Sequence, residues 1–133
     1  MKKCVIVVNK DLPLGLKANI SAILCMSLGK SHPEIIGLDL SDADNITYKG
    51  ITTIPVPILE TYTDNLKAAK KIADLTVEFS VAFNCSALST KDYAAYETSL
   101  RSKRSTDVLI HGLLMYGSKV EINKIAANFP LMR

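Results

Sequence analysis

Cys4-Val5-Ile6-Val7-Val8 is the feature that most constrains this chain. A run of Val and Ile with no polar alternation has no face to give to water, so it predicts a strand buried on both sides. Asn9-Lys10-Asp11 ends the run. Pro13 lacks a backbone N–H and is tolerated in a first helical turn, with Asp11 as the candidate N-cap or turn residue ahead of it. From there Leu16, Ile20, Ile23, Leu24 and Leu28 fall at helical spacing. Gly29, with Lys30 behind it, predicts the helix end. Strand, polar turn and returning helix form a unit that the rest of the chain must cover.

At 133 residues, 48% of them apolar, the chain predicts one domain over 1–133 with a core that needs no disulfide or metal. Net charge is +3 and the pI about 8.7, less basic than dedicated nucleic-acid binders. Cys4, Cys25 and Cys85 lie far apart, with no zinc spacing to His32 or His111. Reduced thiols and a cytoplasmic location are expected. The opening apolar run is too short for a signal peptide or a membrane span. No cofactor and no membrane partner is expected. A homodimer is compatible with the high apolar content and with the general frequency of twofold pairs.

Lys17 falls in the first turns of the first helix, where its charge opposes the helix dipole at a cost of about 0.3–1 kcal/mol. A helix start after a strand favours anions, so Lys17 reads either as part of an anion or acyl-ester site or as a solvated surface lysine. Asn19, four residues before Ile23, reads as a paired core amide or as a substrate-orienting group.

The stretch Asn9-Lys10-Asp11-Leu12-Pro13-Leu14-Gly15-Leu16-Lys17, behind an apolar strand and ahead of an Ala-rich helix, resembles the start of type II peptidyl-tRNA hydrolases. It resembles more closely a bacterial group of the same fold, domain-of-unknown-function family 2000. The hydrolases carry an adjacent Gly-Lys pair and a helix His. Here Leu16 separates Gly15 from Lys17, and Ile23, Leu24 and Cys25 fill the helix region. The resemblance implies an α/β fold and cleavage of an ester between an acyl group and a nucleotide ribose. It implies Lys17 holding a phosphate or oxyanion, Asn19 orienting substrate and Asp11 positioning water, with Asn9 and Gly15 contacting substrate. The alternative on the same fold is a non-catalytic module for a small anion or nucleotide.

Further along, Ile35, Ile36, Leu38 and Leu40 predict a second strand. Ser41-Asp42-Ala43-Asp44-Asn45 has the oxygen ligands of a calcium loop but not its Gly and Glu, and reads as a solvated loop. Residues 46–51 suggest a short hairpin turning at Lys49-Gly50. Ile54-Pro55-Val56-Pro57-Ile58-Leu59 predicts an edge strand or a strap, since each proline lacks a ladder donor, and reads as a wall of a binding groove or as an edge protected against aggregation. Thr61 or Thr63 is expected to cap a helix that buries Leu66, Ala69, Ile72 and Ala73. Its Lys67, Lys70 and Lys71 form a basic face, open to phosphate or simply solvated.

Val77, Phe79, Val81 and Phe83 alternate with more polar residues and predict a strand. It ends at Asn84-Cys85-Ser86, a position that carries ligands in open α/β sheets. Cys85 reads as a nucleophile with His111 as its base, a thiol-enzyme alternative, or as an inert packing residue. Ser89 or Thr90 is expected to start a helix ending near Arg101, Lys103 and Arg104. Those cations complement the helix dipole, with RNA contact the weaker reading. Val108–Tyr116 predicts the last strand, and Ser118 with Glu121 a capping box ahead of the last helix. The whole predicts an α/β domain with a mixed, largely parallel sheet and helices on both faces.

Overall fold

A computed structural model describes residues 1–133. The opening unit forms as its composition requires. Strand β1 spans Lys2–Asn9 and helix α1 Leu14–Ser31. Residues 4–8 of β1 are each 0–1% exposed. Cys4, Ile6 and Val8 pack toward α1 with Ile20, Leu24 and Leu28. Val5 and Val7 pack on the opposite face with helices α2 (Thr63–Thr76) and α5 (Lys119–Ala126). Helices therefore cover both faces of the sheet.

Strands β4 (Ile58–Thr61), β5 (Phe79–Asn84) and β6 (Ile110–Ser118) complete a four-stranded sheet of order β4-β1-β6-β5. It is mixed but not largely parallel. Only β1 and β4 pair in parallel, while β6 is antiparallel to both β1 and β5. After β5 the chain makes a short helix α3 (Cys85–Leu88) and a helix α4 (Tyr93–Arg101), then returns to the same end of the sheet. A strand entering where its neighbour left must run antiparallel. Burial patterning is the same in either direction, so the sequence does not distinguish them.

The proline segment leads into edge strand β4, as expected, and that edge is covered. Glu60 donates its N–H to the Pro130 carbonyl at 2.8 Å, and Met132 donates to Ile58 at 2.8 Å. Other local expectations are corrected. α1 runs past Gly29 to Ser31; Pro13 takes the N-cap, and Asp11 is the turn residue ahead of it. No core strand forms over 35–40. Pro33–Ile35 is a 3-10 turn, a single bridge joins Ile36 to Thr52, and Leu40–Ser41 (β2) pairs with Thr47–Tyr48 (β3). Their turn is at Asp42–Ile46, not Lys49-Gly50, because the Asp42 carboxylate accepts from the N–H groups of Asp44 (2.9 Å) and Ile46 (3.0 Å). Asn45 adopts φ 62° there.

Neither Thr61 nor Thr63 caps α2. Asp92, not Ser89 or Thr90, caps α4 by accepting from Ala95 at 2.8 Å. Ser118 precedes α5 without a side-chain cap bond, and Glu121 pairs with Lys124 instead.

Candidate functional site

The buried polar residues Asn9, Lys17, Glu60, Thr61, Asn84 and His111 gather at one end of the sheet. This is where β1, β4 and β5 finish and β6 begins. The sheet divides them. Val8 and Glu60 are register partners, so Glu60 faces α1, where Lys17 donates to it at 2.8 Å. That ammonium, bonded to Glu60, holds its carboxyl below the ordinary carboxylate range.

On the other face Asn9 meets His111 at 3.0 Å. Phe83 pairs with Gly112 and Asn84 with Ile110, which leaves His111 as the extra residue of a β-bulge. Bulges re-aim a side chain, and this one turns the imidazole to Asn9. The freed Ile110 carbonyl accepts from the Thr63 hydroxyl at 2.8 Å. Asn9 Oδ1 accepts from the Asp11 N–H at 3.1 Å, so its amide NH2 faces His111. Nδ1 of His111 is then the acceptor, and the neutral ring carries its proton on Nε2.

Burial pushes the His111 pKa below its ordinary 6.5. A depressed pKa contributes stability that is present above pH 6.5 and lost as pH falls through the folded value. We expect imidazole 15N shifts to report the Nε2–H tautomer at pH 7, with a midpoint below 6.5. His111→Gln should remove that part of the acid loss. A midpoint at or above 6.5, or a protonated Nδ1 at pH 7, would contradict this arrangement.

Beside this edge, on the α2 face, lies a cavity of about 510 Å³. Lys67, Lys70 and Lys71 stand on one wall, with Asn84, Tyr96, Ser105 and Ile110 among the others. Asn84 caps α3 by accepting from Ala87 at 3.0 Å and donates to the Tyr96 hydroxyl at 3.3 Å. Lys70 pairs with Asp74 at 2.6 Å. Lys67 donates to the Ser105 carbonyl at 2.6 Å, and neither it nor Lys71 has an acidic partner. The cavity therefore holds two uncompensated cations beside an aromatic ring.

The residues expected to act together are committed to other partners or stand in solvent. Lys17 is buried against Glu60 rather than solvated. Asn19 is exposed, not a core amide, because the α1 stripe facing the sheet runs through Lys17, Ile20, Ser21 and Leu24. Asp11 and Gly15 are exposed at the start of α1. Cys85 Sγ lies 4.0 Å from the Asp107 carbonyl, while the His111 Nδ1 is taken by Asn9; the structure forms no Cys85–His111 dyad. Ser86 is wholly buried and accepts from the Ser99 hydroxyl at 2.8 Å, tying α3 to α4. The sequence pattern marks Thr61 only as a candidate helix cap and does not mark Glu60 or Tyr96 as site residues. An acid closing the apolar run Ile58-Leu59 was the available signal for Glu60.

Residues 2–133 match a family model described as protein of unknown function, DUF2000. The chain belongs to DUF2000. A solved structure of a protein of unknown function from Agrobacterium tumefaciens is similar over 99% of this DUF2000 chain and 98% of that one, with a TM-score of 0.88 at 18% identity. At that identity the likeness shows the fold alone. No curated protein matches the chain. No helix is long and apolar enough to cross a membrane.

Proposed function

We propose that this DUF2000 protein binds a small anionic, nucleotide-like ligand in the cavity between α2, α4 and the ends of β5 and β6. The observation that carries this reading is three lysines around one cavity, two of them without an acidic partner. The lysines take the phosphates. The Tyr96 ring and the apolar Leu100 and Val108 take the planar part, and the Asn84 amide offers polar recognition. The volume lies in the range of small-molecule sites, about 300–1,000 Å³.

Calorimetric titration with a nucleoside diphosphate at low salt tests it. Lys71→Glu and Lys67→Glu should each weaken binding about tenfold or more, because a repulsive charge replaces an attractive one. Lys119→Glu, outside the cavity, should not. Absence of binding at millimolar ligand, or equal loss in all three variants, would overturn the reading.

A second reading is hydrolysis of an acyl-nucleotide or peptidyl-tRNA ester, as the resemblance to type II peptidyl-tRNA hydrolases implies. The observation favouring it is the neutral His111, next in the chain to cavity-lining Ile110, whose Nε2–H is a donor for an ester carbonyl. Release from an N-acylated aminoacyl-tRNA by the wild type, lost in His111→Gln, would support hydrolysis over binding alone. Ligand binding without release would leave the first reading in place.

A further inference from the structure

The two edges of the sheet are finished differently. The β4 edge is closed by the chain itself, through the bonds to Pro130 and from Met132. The β5 edge is bare. β5 pairs on one side only, with β6, and no loop or terminal segment bonds its backbone. The ladder fixes which of its groups face outward. Lys119 donates to the Met1 carbonyl at 3.0 Å, in the register that sets Lys3 opposite Gly117 and Val5 opposite Met115. Bonded pairs alternate along an antiparallel ladder, so β6 bonds β1 through Leu113, Met115 and Gly117. It bonds β5 through Gly112, Leu114 and Tyr116, whose partners are Phe83, Val81 and Phe79. The N–H and C=O groups of Ser80 and Ala82 therefore point out of the sheet. No proline or charged residue lies between Phe79 and Asn84 to blunt this edge.

The two sides of the edge differ in chemistry. Ser80 turns its hydroxyl to Asp74 of α2 at 2.7 Å, and Ala82 packs with the core on that face. Phe79, Val81 and Phe83 pack toward α1. On the α2 side lies the lysine cavity. On the α1 side lies a second cavity of about 340 Å³, lined by Ile23, Leu24, Val81, Phe83 and Tyr93 among others. Ala82 and Tyr96 line both cavities, so the edge runs between them. Ile23 is 40% exposed and Tyr93 81%, which leaves this apolar groove open to solvent.

We propose that the β5 edge receives an extended segment of a partner protein as a fifth strand, with apolar and acidic residues in alternation. Free N–H and C=O groups at Ser80 and Ala82, two residues apart, match a peptide backbone, as in β-strand addition. Residues of the added strand opposite Ser80 and Ala82 share their face of the sheet. They point toward the α2 lysines and complement them as carboxylates. The residue opposite Val81 points to the α1-side groove and is apolar. A second copy fits less well, because its own Phe79–Asn84 strand holds no acid and antiparallel edge pairing brings two lysine faces together. The acidic half of the proposal rests on the reading of the lysine cavity as an anion site; the bare edge and the apolar groove do not.

The probe is the end-blocked peptide Val-Glu-Val-Glu-Val, titrated at low salt with amide exchange followed by NMR. It should bind and slow exchange at Ser80 and Ala82 about tenfold or more, while Val81, already bonded to β6, changes little. Val-Lys-Val-Lys-Val should bind about tenfold more weakly or worse. Both peptides are compared on the wild type, so this arm does not depend on the folding of a variant. Ile23→Glu, which puts a charge in the apolar groove, should weaken the acidic peptide about tenfold and leave the nucleoside diphosphate titration unchanged. No binding of the acidic peptide at millimolar concentration, equal binding of both peptides, or binding with Ser80 and Ala82 exchange unaltered would overturn the proposal. Protection of those two amides in the free protein, growing with its concentration, would assign the edge to a second copy and overturn it too. Nucleotide binding without peptide binding would remove this proposal alone, and peptide binding without nucleotide binding would remove the nucleotide reading alone.

Discussion

Glu60→Gln should lower the unfolding free energy by about 3 kcal/mol, because it leaves the Lys17 ammonium buried without its counter-ion. The pair is 2.8 Å long, with side chains 9% and 7% exposed. Its place at the rim of the sheet puts the loss at the low end of the range for broken buried pairs. Replacing both residues, Lys17→Met with Glu60→Leu, should recover most of it, since apolar pairs of similar volume avoid the desolvation of two charges. The pH dependence follows from the depressed Glu60 carboxyl. Its contribution is fully present above the ordinary 4.5 and disappears as pH falls through the lower folded value. Denaturant titrations at pH 7 and at a series of pH values falling from 4.5 measure both effects. A Glu60→Gln loss under about 0.5 kcal/mol, typical of a surface substitution, would show that the pair is solvated. The test also bears on function. An ammonium committed to Glu60 holds α1 to β4 and is not free for a substrate phosphate.

Gly112→Ala should cost about 2 kcal/mol, a change of one methyl that would be neutral on a surface strand. A Cβ at Gly112 would fall 2.5 Å from Ile20 Cγ2 and 3.3 Å from Leu24 Cδ1. Both neighbours are at most 1% exposed and belong to the main core. The branched methyl of Ile20 sits directly on its Cβ and cannot swing away without changing rotamer. The helix must then lift from β6. In an Ile20→Ala background the same substitution should be close to neutral, so the double-mutant coupling should be about 1–2 kcal/mol. Full additivity would mean that the contact is not what resists the methyl. Gly112 follows His111 in the bulge, so lifting α1 there should also disturb the His111–Asn9 bond and move the imidazole resonances.

The sequence made the centre of this fold legible for a physical reason. Residues 4–8 have no polar alternation, and only a strand covered on both faces satisfies that pattern. The period-two stretch before Asn84 was legible in the same way. Strand direction was not, because alternation says nothing of whether β6 enters from the top or the bottom. The stretch 35–40 was misread because Leu38 and Leu40 carry the apolar character of a core strand while standing in solvent. The candidate site was half legible. The basic face of α2 was visible as Lys67, Lys70 and Lys71, but its cavity exists only because Asn84 and Tyr96 close the other side. Asn9 and His111 were both named, yet their meeting depends on a one-residue bulge between Phe83 and Asn84 that no local pattern announces. Lys17 stood out for opposing the helix dipole. What it opposes it for is Glu60, 43 residues away.

Amide shift mapping during titration with a nucleoside diphosphate tests the central claim most directly. The account predicts a compact set of changes at Lys67, Lys71, Asn84, Tyr96 and Ser105, with Asp11, Gly15 and Lys17 unmoved. Changes centred on Asp11–Lys17 with the α2 lysines silent, or no changes at all at millimolar ligand, would contradict it.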